Sequence, residues 1–252
     1  MSASGALTRI AVSLAECEAA MPGDDKQATP VVTGSGKLIA AKDRNSLKPE
    51  DTVTSQWPRT DRRYHRIASV LRHRQLDLTV VMEDVHDQHN ASAVLRSCDG
   101  VGVLDVHLVY THDTPPLKAL GATTSASAAK WIRLHPHDSI EACYGELRKK
   151  GFLIWATALN EESRGLYSID LVRPTAFVFG NEMRGVTEAA GELADGTIYI
   201  PMQGMVESLN ISVACAVTLY EAMRQRLQSG RYEQSTLNEL ELATLEADWL
   251  KR

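Results

Sequence analysis

From Trp57 onward, short apolar runs alternate with stretches of helical spacing. LTVVMEDV (78–85), LDVHLVY (104–110), WIRLH (131–135), FLIWATAL (152–159), TAFVFG (175–180) and TIYIPM (197–202) each read as a buried strand. Between them lie helical patterns. Residues 61–74 place Tyr64, Ile67, Ala68 and Leu71 on one stripe, and a helix opening at His89 and Asn90 runs to Cys98 before Gly100 and Gly102 stop it. Residues 138–150 form another helix, ended by Gly151. In the last, 209–227, Leu209, Val213, Ala216, Val217, Tyr220, Met223 and Leu227 recur at helical spacing. Strands alternating with helices imply an α/β fold, a mainly parallel sheet with helices on both faces.

Residues 1–56 read as a separate, weakly structured arm punctuated by Pro22, Pro30, Gly34, Gly36 and Pro49, with at most a short helix at 6–20. Its GSGKL fragment (34–38) is no phosphate loop, because Val31 stands where the first glycine is needed and Leu38 replaces the magnesium-binding Ser/Thr. Residues 57–230 read as the main domain, opened by a basic helix at 57–75, and 231–252 as a helical tail. No apolar run approaches the ~20 residues of a membrane span, and no secretory signal is expected, so a cytoplasmic protein without membrane partners is expected. Cys17, Cys98, Cys143 and Cys215 are scattered, which argues against a disulfide scaffold and a structural zinc site. His86 and His89 could share a metal, but no third ligand stands near them, so no metal is expected.

The formal net charge of −5 disfavours a nucleic-acid binder only if charge is evenly spread. It is not. Arg59, Arg62, Arg63, Arg66, Arg72 and Arg74, with His65 and His73, face the single acid Asp61, while acids gather after Arg231. Such a block can bind RNA phosphates on an acidic protein, or it can be a solvated helix face.

Three polar stretches fall where strands should give way to helices, the usual ligand-binding end of an open α/β sheet. The first, HDQHNASAVLRSCDGVG (86–102), holds Asn90 and Arg96, with Ser92 and Asp99 on the face of Arg96. Its GVGVLD piece is not a dinucleotide fingerprint, since it follows a helix and precedes a strand. The second, FVFGNEMRGV (177–186), hangs Asn181, Glu182 and Arg184 between Gly180 and Gly185. The third, IPMQGMVESLNISVA (200–214), is an unusually long break before the last helix, with Ser208 as its expected cap.

Together these stretches resemble the SpoU/TrmH branch of the SPOUT methyltransferases. Asn90 and Arg96 match an N-x5-R motif, Gly180, Glu182 and Gly185 a G-x-E-x2-G motif, and Ile200 to Ala214 the IPM-x-G-x4-SLN-x-S-x-A run. They occur in family order over about residues 60–227, and the opening RYHRIASVLRHRQLDLTVVMEDVHDQHN is similar to tRNA guanosine ribose methyltransferases. The resemblance implies a C-terminal trefoil knot, which pattern alone would never suggest. It also implies a homodimer, S-adenosylmethionine as cofactor, and methyl transfer to a ribose 2′-hydroxyl of RNA, the D-loop guanosine at position 18 of tRNA. By the same matching, Thr157, Gly180, Ile200, Met205 and Leu209 would hold the cofactor, and Arg96, Asn90, Glu182, Ser208 and Asn210 would form the catalytic set. A guanidinium, with a pKa above ~12, is a poor base near neutrality. Either its charge is neutralised in the site, or it stays cationic and stabilises the developing alkoxide. Ribosomal RNA as substrate and a catalytically silent RNA-binding module stand as alternatives. A nucleotide-dependent oxidoreductase is disfavoured, because no GxGxxG follows the first strand.

Overall fold

The computed structural model describes residues 31–32, 38–39, 61–111 and 128–252. The chain divides into two units, Met1–Pro58 and Arg59–Arg252. In the first, β1 (Val31–Val32) pairs antiparallel with β2 (Leu38–Ile39). The rest of the arm read over 1–56, its expected helix at 6–20 and Arg59 lie outside the described residues.

The second unit runs α1 (Asp61–Arg72), β3 (Leu78–Glu83), α2 (Gln88–Gly100), β4 (Asp105–Val109), β5 (Arg133–His137), α3 (Ile140–Lys149), β6 (Leu153–Thr157), β7 (Arg164–Gly165), β8 (Thr175–Phe179), α4 (Glu188–Leu193), β9 (Gly196–Tyr199), α5 (Ile211–Gln228) and α6 (Glu239–Trp249). Seven strands form one sheet in the order β5-β4-β3-β8-β6-β9-β7, each neighbouring pair parallel. The two middle strands, β3 and β8, are buried along their whole length, as continuous apolar runs covered on both faces must be. The expected WIRLH strand begins two residues late. Trp131 lies in a 3-10 turn, and the strand runs on through Pro136, which is tolerated because β5 is an edge.

α2 and α5 pack together over one face of the sheet, against Val80, Met82, Val106, Leu108, Phe177 and Phe179. α3 covers the other face, with Cys143, Tyr144 and Leu147 against Val81, Val109, Ile154 and Val178. A third cluster joins Ile67 and Leu71 of α1 to Leu104, Leu237 and Trp249, so the tail helix α6 is clasped onto the basic helix. Trp249 also tilts against Trp131, with ring centres 4.9 Å apart.

Two sequence expectations are corrected here. Arg74 was grouped with the phosphate-binding arginines, but it is fully buried. Its Nη1 donates to the Val103 carbonyl at 2.9 Å, its Nη2 to Asp99 Oδ1 at 2.5 Å, and its guanidinium lies 5.0 Å from the Trp249 ring centre. Burial lowers its pKa, and Asp99 opposes that shift. It is a structural cation, and it also takes the Asp99 that the sequence placed beside Arg96. The second correction concerns α5. Of the stripe read over 209–227, Val213, Tyr220 and Leu227 are exposed, while Ile211, Cys215, Leu219 and Ala222 face the sheet. A helix apolar on more than one side gives no periodic signal for which side packs.

Near its C-terminal end, α5 is anchored by Arg226, which is fully buried. Its guanidinium donates to Asp77 Oδ1 at 2.6 Å, to Gln75 Oε1 at 3.2 Å, and to the carbonyls of Leu171, Asp77 and Arg173 at 3.0, 2.9 and 2.9 Å. These acceptors precede β3 and β8, so the helix is fixed to the amino ends of the two middle strands. Its other end is thereby set over their carboxyl ends.

Candidate functional site

Beyond the carboxyl ends of β6, β8 and β9 lies a cavity of about 950 Å³, walled by Thr157, Gly180, Ile200, Leu209 and Thr218 among others. This is the size and position expected of a small-molecule site in an open α/β sheet. Three loops build it, and each is held by a specific local device.

The loop after β8 is tight. A Cβ on Gly180 would sit 2.1 Å from the Gly185 backbone, so only glycine permits that approach, and Gly185 itself has φ +70°. Asn181 pins the loop to the neighbouring strand end, its Nδ2 donating to the Asp84 carbonyl at 3.0 Å. Glu83 then accepts from the Thr187 amide at 2.8 Å and from its hydroxyl at 2.7 Å. The loop before α5 is closed by Asn210, whose Oδ1 accepts from the Ser212 amide at 2.9 Å. Asn210 is therefore the cap that the sequence assigned to Ser208, two residues too early. α2 likewise begins at Gln88, capped by Asp87, which accepts from the Asn90 amide at 2.8 Å.

These devices bring residues from three distant segments into one chain of hydrogen bonds. Asn90 Nδ2 donates to Glu182 Oε1 at 2.9 Å, and Asn210 Nδ2 donates to Asn90 Oδ1 at 3.0 Å. Asn90 is thus held from both sides, with its amide orientation fixed. Glu182 and Ser208 line the cavity, as do Thr157, Gly180, Ile200 and Leu209. Met205 does not: it is 99% exposed, and its neighbours Gly204 and Val206 form the wall.

Arg96 stands apart from this chain. It is exposed, six residues after Asn90 and so about a third of a turn off its face, with no hydrogen-bond or ion-pair partner among the described residues. Its helical neighbours Val94, Leu95 and Cys98 are buried. In α1, Arg62, Arg63, Arg66 and Arg72 are exposed. Sequence reasoning missed Glu83 and Asp84, which look like an ordinary strand end, and Asn181 and Thr187 as loop anchors. It also missed Thr218, a helical residue whose buried hydroxyl lines the cavity with no hydrogen-bond partner.

Comparisons with known proteins identify what the chain is similar to. The model of the SpoU rRNA Methylase family matches residues 77–220. A Thermus thermophilus tRNA (guanosine(18)-2′-O)-methyltransferase is 47% identical over 195 residues, spanning 77% of this chain and 98% of its own. The Escherichia coli K12 protein of the same name is 45% identical over 181 residues, 71% of this chain and 78% of its own. Among solved structures, an A. aeolicus TrmH/SpoU tRNA modifying enzyme superposes with a TM-score of 0.68 at 36% identity, covering 76% of this chain and 96% of that one. No described helix is long and apolar enough to cross a membrane.

Proposed function

The chain belongs to the SpoU methylase family, and on that footing we propose that it transfers a methyl group from S-adenosylmethionine to the ribose 2′-hydroxyl of guanosine 18 in tRNA. The observation that carries this reading is the Glu182–Asn90–Asn210 chain at the edge of a glycine-walled cavity.

The cavity fits the cofactor. Its glycines leave backbone amides and carbonyls open to a purine edge, Leu209 and Ile198 offer apolar walls, and the unpaired Thr218 hydroxyl awaits a polar group. When bound, the cofactor supplies an electrophilic sulfonium methyl, so what remains for the protein is to orient the ribose oxygen and manage its charge. Glu182, with one carboxylate oxygen occupied by Asn90, keeps the other for the ribose hydroxyl. No carboxylate among the described residues neutralises Arg96. That favours Arg96 as the cation that stabilises the developing alkoxide. Ser208 and Asn210 border the same approach.

The finer readings follow the family. A C-terminal trefoil knot is supported by strand order, since β8 enters between β3 and β6, and β9 between β6 and β7, each among strands formed earlier in the chain. A homodimer is supported by the exposed Val213, Tyr220 and Leu227 of α5, seven residues apart and 46%, 55% and 52% exposed. In this reading, 57–230 carry the chemistry, 231–252 clasp the basic helix and 1–56 form a separate arm. A tRNA substrate supports a cytoplasmic location.

The test is incubation of the purified full chain with unmodified tRNA transcript and S-adenosylmethionine, followed by mapping of ribose methylation along the RNA. A single 2′-O-methyl at guanosine 18 is expected. Methylation of a base, or of no nucleotide, would overturn the proposal.

A further inference from the structure

At the β5 edge of the sheet, two histidines and a cysteine from three separate elements converge. His107 of β4 and His137 of β5 bring Nδ1 and Nε2 to 2.8 Å, and a ligand atom of Cys143 on α3 joins them, all within 4.8 Å of one another. His107 is 2% exposed and Cys143 is fully buried. We propose that His107, His137 and Cys143 bind a borderline-soft divalent transition-metal ion of the zinc type.

Zinc bonds of ~2.0–2.3 Å in a tetrahedron hold neighbouring ligand atoms roughly 3.3–3.6 Å apart. The two nitrogens need to open by about half an ångström and the sulfur to close by at most about one, within the reach of small side-chain rotations. Two imidazoles and a thiolate are the donor mix that selects zinc over magnesium or calcium. The surroundings match as well. Glu146 Oε2 lies 4.0 Å from His137 Nδ1, the nitrogen facing away from His107, where an outer carboxylate orients a metal-bound imidazole. The third ring, His135, stacks on His107 at 5.0 Å, but its Nε2 is held by Asp105 Oδ1 at 2.6 Å, so it shields the site without joining it. A fourth ligand would be water, admitted along β5, the outermost strand. A plain hydrogen bond between two neutral histidines accounts for the nitrogens, and packing of α3 on the sheet accounts for the burial of Cys143; a metal accounts for the convergence of all three. The site lies apart from the cofactor cavity and would tie the sheet edge to α3.

The test uses full-length protein stripped of metal by chelation, then titrated calorimetrically with Zn²⁺ and, separately, with Co²⁺ while following near-ultraviolet absorbance. One Zn²⁺ per chain is expected, with a thiolate-to-cobalt charge-transfer band and a melting midpoint raised by zinc. Cys143→Ser should lose that band and weaken Zn²⁺ binding at least tenfold, and His137→Gln should weaken binding comparably. Absence of Zn²⁺ binding to the wild-type chain would overturn the proposal, whether or not the variants fold. So would a charge-transfer band that survives Cys143→Ser.

Discussion

Arg226 and Arg96 carry the same guanidinium, and the fold treats them in opposite ways. At the amino ends of the middle strands, Arg226 is fully buried and meets five acceptors, including the carboxylate of Asp77. On α2, which follows the carboxyl end of β3, Arg96 is exposed and has no partner among the described residues. Arg74 is buried likewise, against Asp99 and Trp249, though its Nε has no partner among the described residues. A cation whose donors are already filled holds the structure and has nothing left for a ligand. One left open contributes little to stability and is available to charge that appears only during a reaction. The carboxyl-end asparagines and Glu182 fall between these extremes: bonded to one another enough to be oriented, with Glu182 still at the surface of a cavity.

Breaking the saturated end should have the largest effect. Arg226→Ala leaves Asp77 with only Arg231, strips the Leu171 carbonyl of its donor and takes one of two donors from the carbonyls of Asp77 and Arg173, so it should lower stability by about 3–5 kcal/mol, read by denaturant unfolding. An unchanged unfolding midpoint would show that this end is not the anchor it looks like. Gly180→Ala probes the boundary between the two regions. Its methyl group would collide with the Gly185 backbone, and the opening of that loop should cost about 1–3 kcal/mol, appearing mainly as weakened S-adenosylmethionine binding in calorimetry. Full affinity in that variant would move the cofactor away from this loop.

The smallest effect is expected at α1. Replacing Arg63, Arg66 and Arg72 by alanine should leave the fold intact and flatten the slope of log affinity for tRNA against log salt by about 2–3, because fewer counterions are released. An identical slope would make this face merely solvated.

How much of this contrast could be read from the sequence depended on distance along the chain. Parallel strands were legible because burial on both faces leaves continuous apolar runs such as Leu78–Glu83 and Thr175–Phe179. The two-residue β7 and six-residue α4 were not, being too short for any period to emerge. The order in which strands insert is set by tertiary packing and leaves no local trace. Asn90, Glu182 and Asn210 stood out because each sits in a polar break beside a buried element. Their mutual bonding did not, since 92 and 120 residues separate the partners. Arg74 was misread for the same reason: it ends a basic block, and only the folded chain brings Asp99 and Trp249 against it. His107, His137 and Cys143 escaped notice because metal spacings are recognised locally, and these ligands come from two strands and a helix.

We propose that the open arginine carries the chemistry while the buried ones carry the fold. Arg96→Ala tests it most directly, in single-turnover methylation of unmodified tRNA at saturating S-adenosylmethionine, with cofactor affinity and melting midpoint measured on the same sample. Transfer should slow by at least the ~100-fold typical of losing an oxyanion donor, with affinity and midpoint unchanged. Transfer at the wild-type rate would contradict it.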